Sequence, residues 1–194
     1  MTSEEIENII KNRRTTKPAK MNGKKIPDEI IKNLLSMADW APTHGHTEPW
    51  YLTVISGENV VKFCRLHAEM YKTYTPAENF KEASYEKIYN NGNMVSHMIA
   101  IGMKRGSKPN IPEIEEIEAT ACAVQNIWLT ATAYGLAVYW GSGGMTYKPQ
   151  MKEYFGLDEN DIFLGFLYLG YSDEKFEGKR IKPAGEKFRW LDKV

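Results

Sequence analysis

Only two cysteines occur in the 194 residues, Cys64 and Cys122, and nothing in their spacing resembles a metal or redox pair. A disulfide scaffold is therefore excluded, and two buried free thiols in a reducing compartment are the expectation. Long apolar runs are missing as well. The longest, Phe163 to Gly170, is far shorter than the roughly 20 residues that span a bilayer. Net charge is absent, with 25 Lys and Arg against 25 Asp and Glu, so no global field recruits nucleic acid or an anionic membrane surface. The N-terminus carries Glu4, Glu5 and Glu7 where a secretory leader would be basic and then apolar. A cytoplasmic protein is expected. No Gly-x-Gly-x-x-Gly, P-loop or Gly-x-Ser-x-Gly pattern occurs, which disfavours a separate dinucleotide domain, a P-loop enzyme or a serine hydrolase. Length and the 42% hydrophobic content suit one packed core, a single domain over residues 1–194.

What is present reads as interleaved helices and short strands. Thr2 and Glu5 have capping-box spacing ahead of Ile6, Ile9 and Ile10. Pro27 and Asp28 open a second helix with Ile30, Ile31, Leu34, Leu35 and Ala38 on one stripe, stopping at Ala41-Pro42. Tyr51 to Ser56 reads as a strand, and Glu58 starts another helix. Residues 64–96 are polar and helical in tendency, without clear boundaries. Tyr71, Tyr74, Tyr85 and Tyr89 within them have spacings that suggest one helix face. Met98 to Lys104 is a second strand. A long helix then begins with Glu113, Glu115, Glu116 and Glu118, which suit a helix N-terminus, and runs to about Tyr134. Its apolar residues surround the axis, so it is expected to be buried on several sides, in the core or at a subunit interface. Gly135 closes it. Val138 to Trp140 and Phe163 to Tyr171 are further strands, the last central in its sheet. The whole is α+β, a sheet layered with helices.

Two segments carry chemistry. Between Asn8 and Pro27 there is no Asp or Glu but seven Lys and Arg, among them Arg13-Arg14-Thr15-Thr16-Lys17. Cations with adjacent hydroxyls suit a phosphate and a second anionic centre, while a solvated basic stretch is the plain alternative. Trp40 to Trp50 is a Pro-bounded loop of aromatic and imidazole groups that leads into a strand, a setting common beside planar ligands. His44 and His46 could be a metal pair, but no carboxylate or thiol stands at ligand spacing around them. Trp140-Gly141-Ser142-Gly143-Gly144 lets a backbone approach a ligand closely, and is equally an ordinary turn. His67 and His97 read as ordinary residues.

Arg13-Arg14-Thr15-Thr16-Lys17 and then Ala41-Pro42-Thr43-His44-Gly45-His46-Thr47-Glu48-Pro49-Trp50, alignable without a gap, resemble the opening motifs of the nitroreductase-like flavoproteins. Gln125-Asn126, Gly135 to Gly143 and Phe163 to Gly170 agree, so the resemblance covers nearly the whole chain and is closest to the short, minimal branch. It implies a nitroreductase-like fold with a mixed, mainly antiparallel sheet flanked by helices, in an intertwined homodimer with FMN sites at the subunit interface. It implies that Arg13, Arg14 and Thr15 hold the FMN phosphate and that Lys17 stabilises charge at the flavin N1 and C2 edge. Trp40 and His44 would line the flavin held mainly by the partner subunit. Trp140, Gly141, Ser142 and Gly143 would pass backbone amides beside the cofactor, and Arg180 or Lys182 would reach the phosphate from the tail. The activity implied is NADH- or NADPH-dependent reduction of nitroaromatics, quinones or similar small acceptors, by ping-pong hydride transfer through flavin N5. A specialised reductase or dehydrogenase for one metabolite, and a flavin-binding sensor with little turnover, are the alternatives; a basic-armed nucleic-acid binder is a third. Three positions depart from the family pattern: His46 and Glu48 replace amides, and Gly141 replaces an arginine.

Overall fold

The structure, a computed structural model, describes residues 2–191. Thr2 accepts the Glu5 amide at 3.2 Å while the Glu5 carboxylate accepts the Thr2 amide at 2.7 Å, completing the expected capping box of α1 (Ser3–Asn12). No residue of α1 is buried, and Ile6 and Ile10 face outward. Helix α2 (Asp28–Ala38) starts behind Pro27 and buries Ile31, Leu34 and Ala38. It ends three residues before Ala41-Pro42 because Asp39 to Thr43 already belongs to the loop that approaches β1 (Trp50–Ser56).

The segment without clear boundaries resolves into α3 (Glu58–Tyr74) and α4 (Glu82–Asn90), separated by a turn at Pro76. The four tyrosines therefore do not share one helix face. Tyr71 and Tyr74 ride on α3 and Tyr85 and Tyr89 on α4, with Phe80 bridging Tyr71 and Tyr85 at ring-centroid distances of 5.5 and 6.2 Å. After β2 (His97–Met103) come α5 (Glu113–Ala133), β3 (Ala137–Gly141), the short α6 (Pro149–Tyr154), which no pattern foretold, and β4 (Ile162–Gly170). Gly135 takes φ +69°, and Leu136 N donates to Ala131 O at 2.9 Å, the left-handed cap expected at the end of α5.

The strands pair in the order β1-β2-β4-β3, antiparallel in every pairing. The α+β expectation holds, and β4 is internal as its continuous apolar run required. Alternation along β2 sends Ile99 and Ile101 to a core with α2 and α5, and Met98 and Ala100 to a second core under α3. Helix α5 buries Ala119, Ala123, Val124, Ile127, Trp128 and Ala131, whereas Ile114, Glu118, Cys122 and Gln125 are exposed along one stripe, with Ala121 and Leu129 half-buried beside them. The expectation of two buried thiols is corrected here: Cys64 is buried, but Cys122 sits on this uncovered face. Beyond β4, residues 172–191 run over the surface and expose Ile181, Phe188, Trp190 and Leu191. Among the described residues no helix is long and apolar enough to cross a membrane.

Candidate functional site

Edge strand β3 is where the basic motif lands. Thr16 N donates to Val138 O at 2.9 Å, so the motif runs along the free side of β3. Thr16 is buried, and period-two alternation turns Thr15 and Lys17 to solvent. Lys17 then leads into a 3-10 turn at Pro18–Lys20. Arg13 lies over the Trp128 ring at 4.6 Å, and the Trp128 indole donates to Arg14 O at 3.2 Å, pinning the motif to α5. Arg14 commits Nε to Phe176 O at 2.9 Å and Nη1 to the carbonyls of Lys11 and Arg13 at 2.5 and 3.0 Å. It therefore braces the tail against the motif. Gly178 is the tail residue beside it: a Cβ there would stand 2.7 Å from the Arg14 guanidinium carbon.

Arg13 is half-buried, and its pKa is lowered first by burial and then by the charges of Arg180 and Arg14. Among the described residues no carboxylate lies within ion-pair distance of any of these three arginines. A merely solvated basic run would spread its charges or pair them. Here two partly desolvated guanidiniums and a third converge without compensation, which favours an anion supplied from outside.

The glycine-rich segment starts at the end of the same strand. The Trp140 indole donates to Leu164 O at 3.0 Å, fixing the ring across β4. At Gly141 a Cβ would meet Tyr139 at 2.8 Å and Tyr168 at 3.1 Å, so ring packing leaves no room for the arginine of the family pattern. Past it, the backbone amides of Ser142, Gly143 and Gly144 have no acceptor among the described residues. Gly144 takes φ +64°, Thr146 closes the turn onto Gly143 O, and Met145 N donates to His67 Nε2 at 2.9 Å. A cavity of about 110 Å³ lies here, lined by His67, Tyr139, Gly141, Gly143, Lys87 of α4 and Asn91 just past its end. Lys87 and Asn91 also line a neighbouring groove with Ala19 of the turn after Lys17. The turn after Lys17, the glycine-rich loop and α4 thus surround one region, while Arg14 and Thr16 line a separate groove with Gly135, Leu136 and Phe176. The role of His67 was not foreseen, since a lone histidine carries no sign that its partner is a backbone amide far along the chain.

The Trp40 to Trp50 loop lies elsewhere. Trp50 Nε1 donates to Asp39 Oδ1 at 3.0 Å, Glu48 N to Thr43 Oγ1 at 3.2 Å, and Lys108 Nζ to Gly45 O at 2.5 Å. His46 and Glu48 take φ values of +55° and +44°, a left-handed conformation that costs each about 1–3 kcal/mol. Asparagine tolerates that region better than most residues, which gives a conformational reason for an amide at position 46 in the family pattern. His44 pairs through Nδ1 with Glu115 Oε2 at 2.5 Å at the start of α5, and Trp40 is 80% exposed. No group of three His, Cys, Asp or Glu among the described residues could hold a metal ion. Glu115 and Trp128 are separated by about 20 Å along α5 at its 1.5 Å rise. One chain therefore does not bring His44 to Arg13, Thr15 and Lys17, while Trp40 donates its amide to Met37 O, the carbonyl that Asn126 of α5 also holds.

The profile described as "Nitroreductase family" matches residues 10–171. The Bacillus subtilis protein named "Putative NAD(P)H nitroreductase YfhC" is 26% identical over 184 residues, covering 94% of this chain and 92% of that protein. The crystal structure of a nitroreductase-like family protein from Bacillus cereus superposes with a TM-score of 0.84 at 29% identity, over 100% of this chain and 99% of that one. A nitroreductase with bound FMN from Bacteroides fragilis shares the fold at a TM-score of 0.70 and 20% identity, over 97% and 99% of the two chains. The chain belongs to the nitroreductase family.

Proposed function

We propose that the protein is an FMN-dependent NAD(P)H oxidoreductase that reduces small acceptors such as nitroaromatics or quinones, each chain acting as one domain of a homodimer. The observation that carries this reading is the uncompensated cluster of Arg13, Arg14 and Arg180 at the start of the basic motif. A dianionic phosphate satisfies such a cluster, with Arg13 and Arg180 as its guanidinium donors and Thr15 as a hydroxyl donor. The residues present thus fit FMN. Bound FMN would supply the redox chemistry, taking a hydride from NADH or NADPH and passing electrons to the acceptor. The protein's part is to bind, orient and stabilise charge. Lys17, exposed two residues past Thr15, is the cation for the reduced ring, and the amides of Ser142, Gly143 and Gly144 offer donors to its edge.

The separation along α5 supports the dimer. A two-fold axis crossing α5 near Cys122, midway between Glu115 and Trp128, would carry His44 of one subunit to the arginine cluster of the other. The uncovered stripe of Ile114, Cys122 and Gln125 lies on that path, and the outward Ile6, Ile10, Phe188 and Trp190 are further unburied apolar surface for a partner to cover. Cys122 then provides a native probe. A short bis-maleimide should cross-link the protein into a species of doubled mass, and Cys122→Ser should abolish it, because Cys64 is buried with its thiol pushed up to about 12. A monomer on gel filtration that does not cross-link would overturn the arrangement.

The enzymatic reading is tested by loading the purified protein with FMN, removing the excess and adding NADH or NADPH without oxygen. Stoichiometric flavin, bleached by one of the nucleotides and reoxidised by a quinone or nitroaromatic, is the expected result. Flavin retained but never reduced would refute the oxidoreductase reading, and no retention would refute FMN binding.

A further inference from the structure

His67, on the inner side of α3, is 2% exposed and has no place in the family motifs. Its ring packs between Phe63 and Phe166, with centroids 6.1 and 5.5 Å away, and lines the cavity beside the glycine-rich loop. Nε2 accepts the Met145 amide at 2.9 Å. A nitrogen that accepts from a backbone N–H carries no proton, so the ring is neutral with its hydrogen on Nδ1. A Cβ at Gly144 would stand 2.5 Å from Nε2, so only glycine lets the loop come this close. The φ of +64° at Gly144 points to the same residue.

We propose that His67 is the positioning residue of the glycine-rich loop: by accepting the Met145 amide it fixes the turn so that the Ser142, Gly143 and Gly144 amides stay free for hydrogen-bond acceptors on a bound ligand. This rests on the reading that the loop borders the cofactor. The loop's own closures, from Thr146 N and Oγ1 to Gly143 O, hold only the turn itself, and His67 ties that turn to the helical layer. Met145 is fully buried, so without an acceptor its N–H would be orphaned in the core and the loop would shift to find one. Burial lowers the imidazole pKa to about 4, which keeps the acceptor available at neutral pH.

The test compares wild type, His67→Gln, which can still accept through its amide oxygen, and His67→Leu, which cannot. In the FMN-free protein, amide hydrogen exchange at Met145 should be slow in wild type and His67→Gln and about 10-fold or more faster in His67→Leu. With FMN added, His67→Leu should bind about 10-fold or more weakly with an altered visible spectrum, and His67→Gln should restore both. A folded His67→Leu variant with wild-type exchange at Met145, or with wild-type affinity and spectrum, overturns the role. If His67→Leu does not fold, ¹⁵N spectra of the wild-type imidazole decide: hydrogen on Nδ1 with Nε2 accepting supports the role, and hydrogen on Nε2 refutes it. Absence of FMN binding by wild type would instead strike the functional reading, while the exchange and tautomer measurements still judge His67.

Discussion

Alanine at both Arg13 and Arg180 should raise the FMN dissociation constant by about 100-fold or more, because each guanidinium–phosphate contact is worth about 1.5–3 kcal/mol. The FMN-free variant should fold as well as wild type. Arg13 gives up its stacking on Trp128, a contribution of about 0.5–1 kcal/mol. Against that loss, removal of two like charges relieves the repulsion that helps to lower the Arg13 pKa. Inorganic phosphate offers a second readout: it should raise the melting temperature of the FMN-free wild type by mass action, and leave the double variant unmoved. Arg14→Ala should behave differently, since its donors hold the carbonyls of Lys11, Arg13 and Phe176. That substitution should loosen the tail, seen as faster proteolysis after Tyr171, in addition to weakening the flavin. Wild-type FMN affinity in the Arg13 and Arg180 double variant would remove the phosphate assignment.

How far the sequence carried depended on whether the determining contact was local. The Thr2 and Glu5 box, the Pro27 and Asp28 start, the Gly135 cap and the unbroken apolar run of β4 each report on neighbours within a few residues, and all appear in the fold. Cys122 does not, because an all-round apolar helix does not declare which face its own chain will cover. The four tyrosines misled for a related reason: a break at Pro76 that turns the chain back on itself replaces one helix face by two helices in contact. Within the site, Arg13 to Lys17 stood out because five adjacent residues carry the signal. That Arg180 joins them depends on the tail folding back under Arg14, and that Gly141 excludes a side chain depends on Tyr168 of the neighbouring strand. Those are tertiary facts, and no window of sequence contains them.

Glu116→Ala should cost about 3–5 kcal/mol of stability, read as a lowered denaturation midpoint, because it leaves the Arg105 guanidinium without its counter-charge in a desolvated place. Glu116 is 1% exposed in the first turn of α5, pairs with Arg105 and accepts the Gly106 amide at 3.0 Å. Arg105 in turn donates to Ile111 O at 2.9 Å, and its backbone amide is held by Asp161 at 2.9 Å. The pair thus clamps residues 104–112 onto the start of α5, and Lys108 from that segment holds Gly45 O next to His44. Loss of the clamp should therefore also weaken the Trp40 to Trp50 loop, with FMN affinity falling further than in a surface variant of equal stability. Replacing both partners, Arg105→Met with Glu116→Leu, separates the two effects. Apolar side chains of similar size should recover most of the stability, since the cost arises from an unpaired buried charge and not from the pair's own strength. FMN affinity should recover only as far as residues 104–112 regain their position. A Glu116→Ala variant as stable as wild type would show that Arg105 finds water or another acceptor, and that the clamp does not hold this end of α5.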